Sequence, residues 1–279
     1  MTGDPAWTPR ASVLLSTRLT GPWRESLDSV VRGQSFTEHE VVAVVDAPEG
    51  PVDELKARYA DAPHVRVLLN ERNLGLTASL NRGLAAARGA VVVRHDDDDI
   101  SRPERLRRLL EHLDRHPETT LVSSFAEAFS RQSGVESRWL QKTPLTHEAI
   151  VSALDRRNCI IHPSIAMRTE PLRALGGYDE RFRLAQDYDL YLRAVRAGWR
   201  FACLPEPLVE RSYSEQSITV TRRYEQATYS MAAKLLFRAG DVDRSALTRD
   251  VLQYLRIIAT PQWARTARRV LSGLPGLRR

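Results

Sequence analysis

The stretch RHDDDDI, residues 94–100, follows the apolar run 90–93 and places four carboxylates side by side at the end of a predicted buried strand. Two like charges about 4 Å apart repel by roughly 1 kcal/mol in water and by roughly 4 kcal/mol at an effective dielectric constant of about 20. A fold tolerates such a cluster when a cation binds there, and oxygen-only ligands suit Mg²⁺ or Mn²⁺. The alternative is a solvated acidic loop, because runs of charge usually lie on the surface.

The residues on either side of this stretch predict an α/β fold with a mainly parallel sheet. Four apolar runs, separated by helical patterns, are the predicted strands: residues 11–15, 40–45, 65–69 and 90–93. In open sheets of this type, ligands bind at the carboxyl ends of the strands. Ser16, Thr17, Asp46 and the aspartates 96–99 all follow a strand directly, so we expect them at one edge of the sheet.

Two local patterns make further predictions about the backbone. Ser101 and Glu104 have the spacing of a capping box, which predicts that a helix begins directly after the aspartates and holds them in a tight strand-to-helix turn. Residues 130–145 are polar and without clear periodicity, which predicts an irregular connection.

The composition favours anionic partners and a reducing compartment. Lys and Arg number 41 against 35 Asp and Glu, which gives a net charge of +6 over 279 residues. The two cysteines, Cys159 and Cys203, form no disulfide framework. The amino-terminal residues predict no signal peptide, and no apolar run reaches the length of a membrane span, so we expect a cytoplasmic protein. The basic residues are scattered and no nucleic-acid-binding motif is present, so nucleic acid is not an expected partner.

An ordered set of motifs resembles the family 2 glycosyltransferases, which have the GT-A fold. In the first half the motifs are Asn73-x-Gly75, Asn81-x-Gly83, Arg94-x-Asp96-x-Asp98-Asp99 and Pro103-x-Arg105-Leu106. In the second half they are Gly176-Gly177-Tyr178-Asp179-Glu180-x-Phe182 and Gln186-Asp187-Tyr188-Asp189-Leu190-x-Leu192-Arg193. The chain departs from the family pattern at residues 16–19, at the single acid Asp46, and at Gln186, where a Glu is common.

The resemblance implies a domain organisation. Residues 11–218 would form the GT-A domain, with a nucleotide-sugar-binding half at 11–124 and an acceptor-binding half at 125–218. Residues 1–10 would be a flexible lead-in, and residues 219–279 a helical extension. The loops at 125–145 and 205–220 would decide which sugar, acceptor and linkage the enzyme uses.

The resemblance also implies a reaction: inverting transfer of a sugar from a nucleoside-diphosphate donor, UDP-linked, to an acceptor hydroxyl in cell-surface polysaccharide or related glycan synthesis. Asp98 would coordinate Mg²⁺ or Mn²⁺, and Asp96 would lie toward the ribose and the metal-bound waters. Ser16, Thr17 and Asn73 would contact the nucleotide. The roles of two further residues stay open. Asp46 would accept a hydrogen bond from the edge of the nucleobase, or it would cap a turn. Arg94 would form an ion pair with an aspartate or with a phosphate.

On the acceptor side, Asp187 is the predicted general base, which takes the acceptor proton as the new bond forms. The alternative is an acid stabilised by the dipole at a helix start, which suits Asp189 better than Asp187. His162 and Gln186 are assigned to the acceptor side, although a lone histidine is more often a structural hydrogen-bonding residue.

Residues 262–279 carry five arginines and no acid, with apolar residues interleaved. This pattern predicts either binding to an anionic membrane surface on the cytoplasmic side, next to a glycan or lipid-linked acceptor, or packing on the domain. Two other functions are compatible with parts of this sequence. One is a catalytically inactive nucleotide-sugar-binding scaffold or partner subunit. The other is a nucleotidyltransferase, which residues 16–22 disfavour because they offer only Arg18 and Gly21 where a Gly-rich basic loop is expected.

Overall fold

The computed structural model describes residues 7–47, 49–132, 135–213 and 223–239. The chain forms two compact units, Met1–Ser214 and Glu215–Arg279. The strands of the first unit are β1 (Ala11–Thr17), β2 (His39–Val45), β3 (Val65–Leu69), β4 (Val91–Arg94), β5 (Ile100–Ser101), β6 (Thr119–Gln132), β7 (Val135–Gln141), β8 (Ala166–Arg168) and β9 (Arg200–Tyr213).

The helices of the first unit lie between these strands. They are α1 (Trp23–Val31), α2 (Val52–Arg58), α3 (Leu76–Ala86), α4 (Arg105–Arg115), α5 (His147–Leu154), α6 (Thr169–Ala174) and α7 (Gln186–Arg196), with a short 3₁₀ turn at His162–Ser164. In the second unit, α8 spans Arg223–Arg238. None of the helices within the described ranges is long and apolar enough to cross a membrane. The predicted membrane contact of residues 262–279 lies outside the described residues.

The described strands form one sheet in the order β3-β2-β1-β4-β8-β6-β9-β5, with β7 added at β6. The first four strands in this order, β3, β2, β1 and β4, pair in parallel, which confirms the predicted parallel sheet. Strand β8 is antiparallel to both β4 and β6, whereas β6 and β9 are parallel. The predicted division at residue 124 falls within β6, where its pairing with β9 becomes irregular between Ser124 and Phe125.

The core lies on both faces of the parallel half, because β2 and β4 are buried throughout and β1 is buried at every position except Ser16. Residues of α1 and α4, such as Leu27 and Leu109, pack with Val13 and its neighbours on one face. Helix α3 covers the other face. A Cβ at Gly83 would stand 3.3 Å from the Val44 side chain, so glycine lets α3 approach the sheet closely.

The structure corrects both local predictions. Helix α4 begins at Arg105, and its cap residue Glu104 makes no side-chain capping bond. The hydroxyl of Ser101 instead accepts from Gln34 at 3.1 Å, and Ser101 belongs to β5, which pairs with β9. The aspartates therefore lie in a turn between two strands, not between a strand and a helix.

Residues 130–145 were predicted to be irregular, and this is wrong. Strands β6 and β7 pair in register from Ala126 with Gln141 to Gln132 with Val135. The sequence signal was weak because residues 136–140 are all exposed, so no apolar alternation marks a buried face.

A side-chain clasp joins α3 to the segment before α7. Asn81 donates to the Tyr178 carbonyl at 2.8 Å and accepts from the Tyr178 amide at 2.9 Å. A Cβ at Gly177 would stand 2.7 Å from the Asn81 amide oxygen, and Gly177 has a φ of +64°. Glycine is therefore required at this position for both steric and conformational reasons.

We expect Gly177→Ala to destabilise the fold more than Gly176→Ala. Both residues have positive φ, which costs an alanine about 1 kcal/mol. A Cβ at Gly176 meets nothing within 4 Å, whereas a Cβ at Gly177 pushes on Asn81 and adds about 1–3 kcal/mol. Urea unfolding of both variants measures the difference, and equal losses would show that the clasp does not constrain this turn.

Candidate active site

Four carboxylates, residues 96–99, form the turn after β4, here called the aspartate turn. Asp96 accepts a short hydrogen bond from Arg94, the last residue of β4. Asp99 accepts from the Ser212 amide at 3.0 Å and lies 3.8 Å from the Arg211 guanidinium. The turn is therefore flanked by one arginine from β4 and one from β9.

A buried hydrogen-bond network holds the backbone of this turn. Arg105, which is 0% exposed, donates to the carbonyls of Arg94 and Pro163 and lies 3.2 Å from His95 Nδ1. Burial, and then the Arg105 charge, lower the pKa of His95 to about 3, so the ring is neutral. Since Nδ1 accepts from Arg105, Nε2 carries the proton and donates to Ser26 Oγ at 3.0 Å. The Ser26 hydroxyl in turn donates to the Asp96 carbonyl at 2.9 Å.

The carboxylates of the aspartate turn are buried close together, and this shifts their pKa values. Burial, followed by the charges of Asp96 and Asp97, raises the pKa of Asp98 to about 7. Burial and Asp96 also raise the pKa of Asp99. Burial acts in the same direction on Asp96, but Arg94 and the more distant His162 and Arg211 outweigh it and lower the pKa of Asp96.

The donor set suits a hard divalent cation held by few protein ligands. It consists of carboxylate oxygens, and the raised pKa of Asp98 shows a local excess of negative charge that a cation would relieve. Among the described residues, no three His, Cys, Asp or Glu side chains converge into a closed metal cage. The residues therefore fit an ion bound by one or two carboxylates, with water and ligand phosphates completing its shell, as is usual for Mg²⁺.

Asp187 lies in the first turn of α7, after Ala185, whose φ is +53°. Its Oδ2 accepts from the Asn158 amide at 2.7 Å, and its Oδ1 accepts from the Tyr188 amide at 2.8 Å. Burial raises the pKa of Asp187, the two hydrogen bonds lower it, and the charge of Asp96 raises it further, with a net increase. The carboxylate is thus held in place and lies in the electrostatic field of the aspartate turn.

Asp189 has a structural role, as its sequence position suggested. It pairs with Arg193 at 2.8 Å, and Arg193 also donates to the carbonyls of Leu175 and Gly177. This ion pair fixes the glycine turn onto α7.

His162 lies in the 3₁₀ turn before β8. Its Nε2 lies 2.9 Å from the Tyr178 hydroxyl. Burial, and then the charge of Arg94, lower the pKa of His162 to about 3, with Asp96 acting in the opposite direction. Arg94 is 1% exposed, and among the described residues its Nε and Nη1 have no hydrogen-bond partner. Arg94 therefore pairs with Asp96 and still has donors free.

Asp46 is a loop anchor, and this favours the second of its two predicted roles. Its carboxylate is 3% exposed. It accepts from the Asn70 side chain at 2.7 Å and from the amides of Leu74 and Gly75 at 2.7 and 2.9 Å. The loop between β3 and α3 is thus tied to the end of β2, and contact with a base stays a prediction.

The other residues predicted to contact the nucleotide differ in position and exposure. Thr17 accepts from the Leu19 amide at 2.8 Å. Its hydroxyl lies near Asp97, because it opposes the burial that raises the pKa of that carboxyl. Ser16 is half-buried at the end of β1, and Asn73 is exposed on the loop held by Asp46. Gln186 is buried beside Asp187.

Sequence reasoning missed several residues that shape this site. Arg105 stood within a quoted motif but had no role, because nothing in a sequence says that a charged helix residue will point inward. Asn158 and Arg211 lie far along the chain from the carboxylates they contact, and no local pattern indicates such pairings.

Comparisons with known proteins identify the family of this chain. The model of glycosyl transferase family 2 matches residues 23–176. The amylovoran biosynthesis glycosyltransferase AmsE of Erwinia amylovora is 33% identical over 181 residues, which cover 63% of this chain and 65% of that protein. The putative glycosyltransferase EpsE of Bacillus subtilis is 31% identical over 216 residues, which cover 76% of this chain and 74% of that protein. The UDP-Gal:alpha-D-GlcNAc-diphosphoundecaprenol beta-1,3-galactosyltransferase of Escherichia coli is 25% identical over 214 residues, covering 75% and 76%.

Among solved structures, S. aureus TarS 1–349 in complex with UDP-GlcNAc superposes with a TM-score of 0.66 at 19% identity, covering 88% of this chain and 71% of that one. This likeness concerns the fold and confirms the predicted GT-A architecture. The fold and the family match place this protein among the glycosyltransferases. The chain belongs to glycosyl transferase family 2.

We expect Asp46→Asn to destabilise the protein without any ligand present. The amide NH₂ group would face the backbone donors of Leu74 and Gly75, so at least one buried hydrogen bond is lost, at a cost of about 1–3 kcal/mol. Chemical unfolding of the ligand-free protein measures this. A variant of unchanged stability with weaker nucleotide binding would instead give Asp46 the role at the base.

Proposed function

We propose that this protein is a metal-dependent, inverting glycosyltransferase that moves a sugar from a UDP-linked donor to an acceptor hydroxyl in cell-surface polysaccharide or related glycan synthesis. One observation carries the proposal. The aspartate turn has an excess of negative charge, and a second carboxylate, Asp187, is held separately within its electrostatic field. The names of two relatives support the choice of donor and product: one is a UDP-Gal transferase, and another acts in amylovoran biosynthesis.

The donor would bind at the aspartate turn. Asp98 and Asp96 would hold Mg²⁺ or Mn²⁺, which when bound neutralises charge on the leaving diphosphate. Arg94 has free guanidinium donors beside Asp96 and would donate to a phosphate oxygen. Thr17 and Ser16, at the end of β1, would lie beside the nucleoside, as would Asn73 on the loop that Asp46 anchors.

The acceptor would be activated at Asp187. Its carboxylate takes the proton of the acceptor hydroxyl while that oxygen forms a bond to the anomeric carbon, opposite the bond to the diphosphate oxygen that breaks. Attack from the opposite side inverts the configuration at this carbon. A raised pKa suits the role, because a more basic carboxylate takes a hydroxyl proton more readily. His162 and Gln186 would line the same side of the site.

The acceptor in this proposal is a glycan or a lipid-linked sugar. The name of the E. coli relative includes a diphosphoundecaprenol-linked sugar, which is a lipid-linked acceptor. A lipid-linked acceptor would place the reaction at the inner face of the cell membrane.

We expect Asp187→Asn to abolish transfer while leaving donor binding intact. Loss of a general base lowers turnover by about 10²–10⁴-fold, whereas the nucleotide is bound elsewhere, at the aspartate turn. Release of UDP from UDP-galactose or UDP-GlcNAc, with a membrane lipid extract as acceptor, measures transfer. Thermal shifts with nucleoside diphosphates, with and without Mn²⁺, measure donor binding.

Asp53 provides a matched control, because it is an exposed acid in the first turn of α2. Asp53→Asn should retain full transfer. Transfer retained by Asp187→Asn would remove Asp187 from the role of base. Nucleotide binding by the wild-type protein without any transfer would favour an inactive scaffold, and binding that is the same without Mn²⁺ would contradict the metal.

We expect Asn158→Ala to move the acid limb of the pH–rate profile to higher pH. The Asn158 amide stabilises the charged form of Asp187, so its loss raises the pKa of that carboxyl further, by about one unit. At a given acidic pH, more of the enzyme then carries a protonated, inactive Asp187. The pH dependence of kcat/KM tests this, and an acid limb that stays in place or moves to lower pH would contradict it.

A further inference from the structure

Beyond the aspartate turn, one face of the β6–β7–β9 sheet carries a row of large side chains over small ones. Register pairs Ala128 with both Trp139 on β7 and Arg211 on β9, so the three side chains share a face. Ala126 pairs in the same way with Gln141. The small central residues leave room for the flanking side chains to meet above β6.

These flanking side chains contact one another. The rings of Trp139 and Tyr213 form an edge-to-face pair with centroids 5.3 Å apart. The Arg211 guanidinium lies over the Tyr213 ring at 5.6 Å and donates to the Gln141 amide oxygen at 2.8 Å. We call Trp139, Gln141, Arg211 and Tyr213 the rim platform.

The opposite face of this sheet has a different chemistry. There, Arg138 pairs with Glu127 at 3.2 Å and with Glu210 at 3.3 Å, and it lies over the Phe129 ring at 5.5 Å. That face has a network of ion pairs and exposes the aliphatic side chain of Leu140, which is opposite Glu127. The rim platform exposes an aromatic ring, since Trp139 is 39% exposed.

The rim platform is continuous with the candidate active site. Arg211 lies 3.8 Å from Asp99, and the next residue, Ser212, donates its amide to the same carboxylate. Arg211 also contributes to the electrostatics of Asp96 and His162. A ligand that lies along the platform therefore ends at the aspartate turn.

The chemistry of the platform matches a saccharide. A pyranose ring has an apolar face of C–H groups and a rim of hydroxyls, and it needs an exposed aromatic surface with hydrogen-bonding groups beside it. Trp139 and Tyr213 supply the aromatic surface. The Gln141 amide and the Arg211 guanidinium supply hydrogen-bonding groups beside it.

We propose that the rim platform is a glycan-binding subsite that holds the sugar chain of the acceptor, with Trp139 as its main stacking surface. This rests on the proposed function, since it assigns the acceptor of that reaction. It also explains how a site whose donor half is a set of carboxylates distinguishes one glycan acceptor from another.

The test uses saturation-transfer difference NMR on the full chain with chitotetraose, cellotetraose and maltotetraose as probes. Irradiation of aromatic protons should transfer saturation to ring C–H protons of at least one probe. Trp139→Ala should weaken binding of that probe by about tenfold or more, while Trp139→Phe retains part of it. Leu140→Ala is the matched control, because Leu140 is the adjacent residue on the opposite face and is 47% exposed.

Several results would overturn the proposal. These are no saturation transfer from the wild-type protein to any probe, equal binding by Trp139→Ala, or an equal loss in Leu140→Ala. A concentration-dependent dimer that Trp139→Ala dissociates would mark the platform as a contact between copies instead. If Trp139→Ala fails to fold, Tyr213→Ala takes its place. Failure of the proposed function would look different: no thermal shift with any nucleoside diphosphate, while saccharide binding persists.

Discussion

The buried guanidinium of Arg105 is the contact on which the rest of the site depends. It reaches from the start of α4 to the last carbonyl of β4, to His95 and to the Pro163 carbonyl that precedes β8. Burial, offset in part by Asp99, lowers the pKa of Arg105 to about 9, so the residue is still charged at neutral pH. A buried charge is stable only when it is well hydrogen-bonded, and Arg105 therefore holds three segments in one arrangement.

This arrangement explains how the fold keeps four carboxylates together. His95 and Ser26 hold the backbone of the aspartate turn, Arg94 neutralises Asp96, and the Ser212 amide binds Asp99. Burial and the charges of Asp96 and Asp97 still raise the pKa of Asp98, and burial and Asp96 raise that of Asp99. The turn is maintained by interactions beneath and beside it, which leaves its open side available to a cation and to phosphates.

Sequence reasoning found what local periodicity and strand ends determine. The parallel strands, the polar residues that follow them and the first turn of α7 all depend on short patterns, and they were predicted correctly. Strand β7 was missed because its exposed residues carry no alternation, and Ser101 because strand pairing overrode its capping pattern. The roles of Asn158, Arg211 and Asp46 depend on contacts between distant segments, which periodicity does not report.

Among the described strands, β7 pairs with β6 alone and has no part in the parallel half of the sheet. Its side chains toward the rim platform can therefore change without disturbing β1, β4 or the hydrogen-bond network that holds the aspartate turn. In the proposed function, substitutions in this seven-residue strand would change the acceptor half of the site while the donor half at the aspartate turn stays the same.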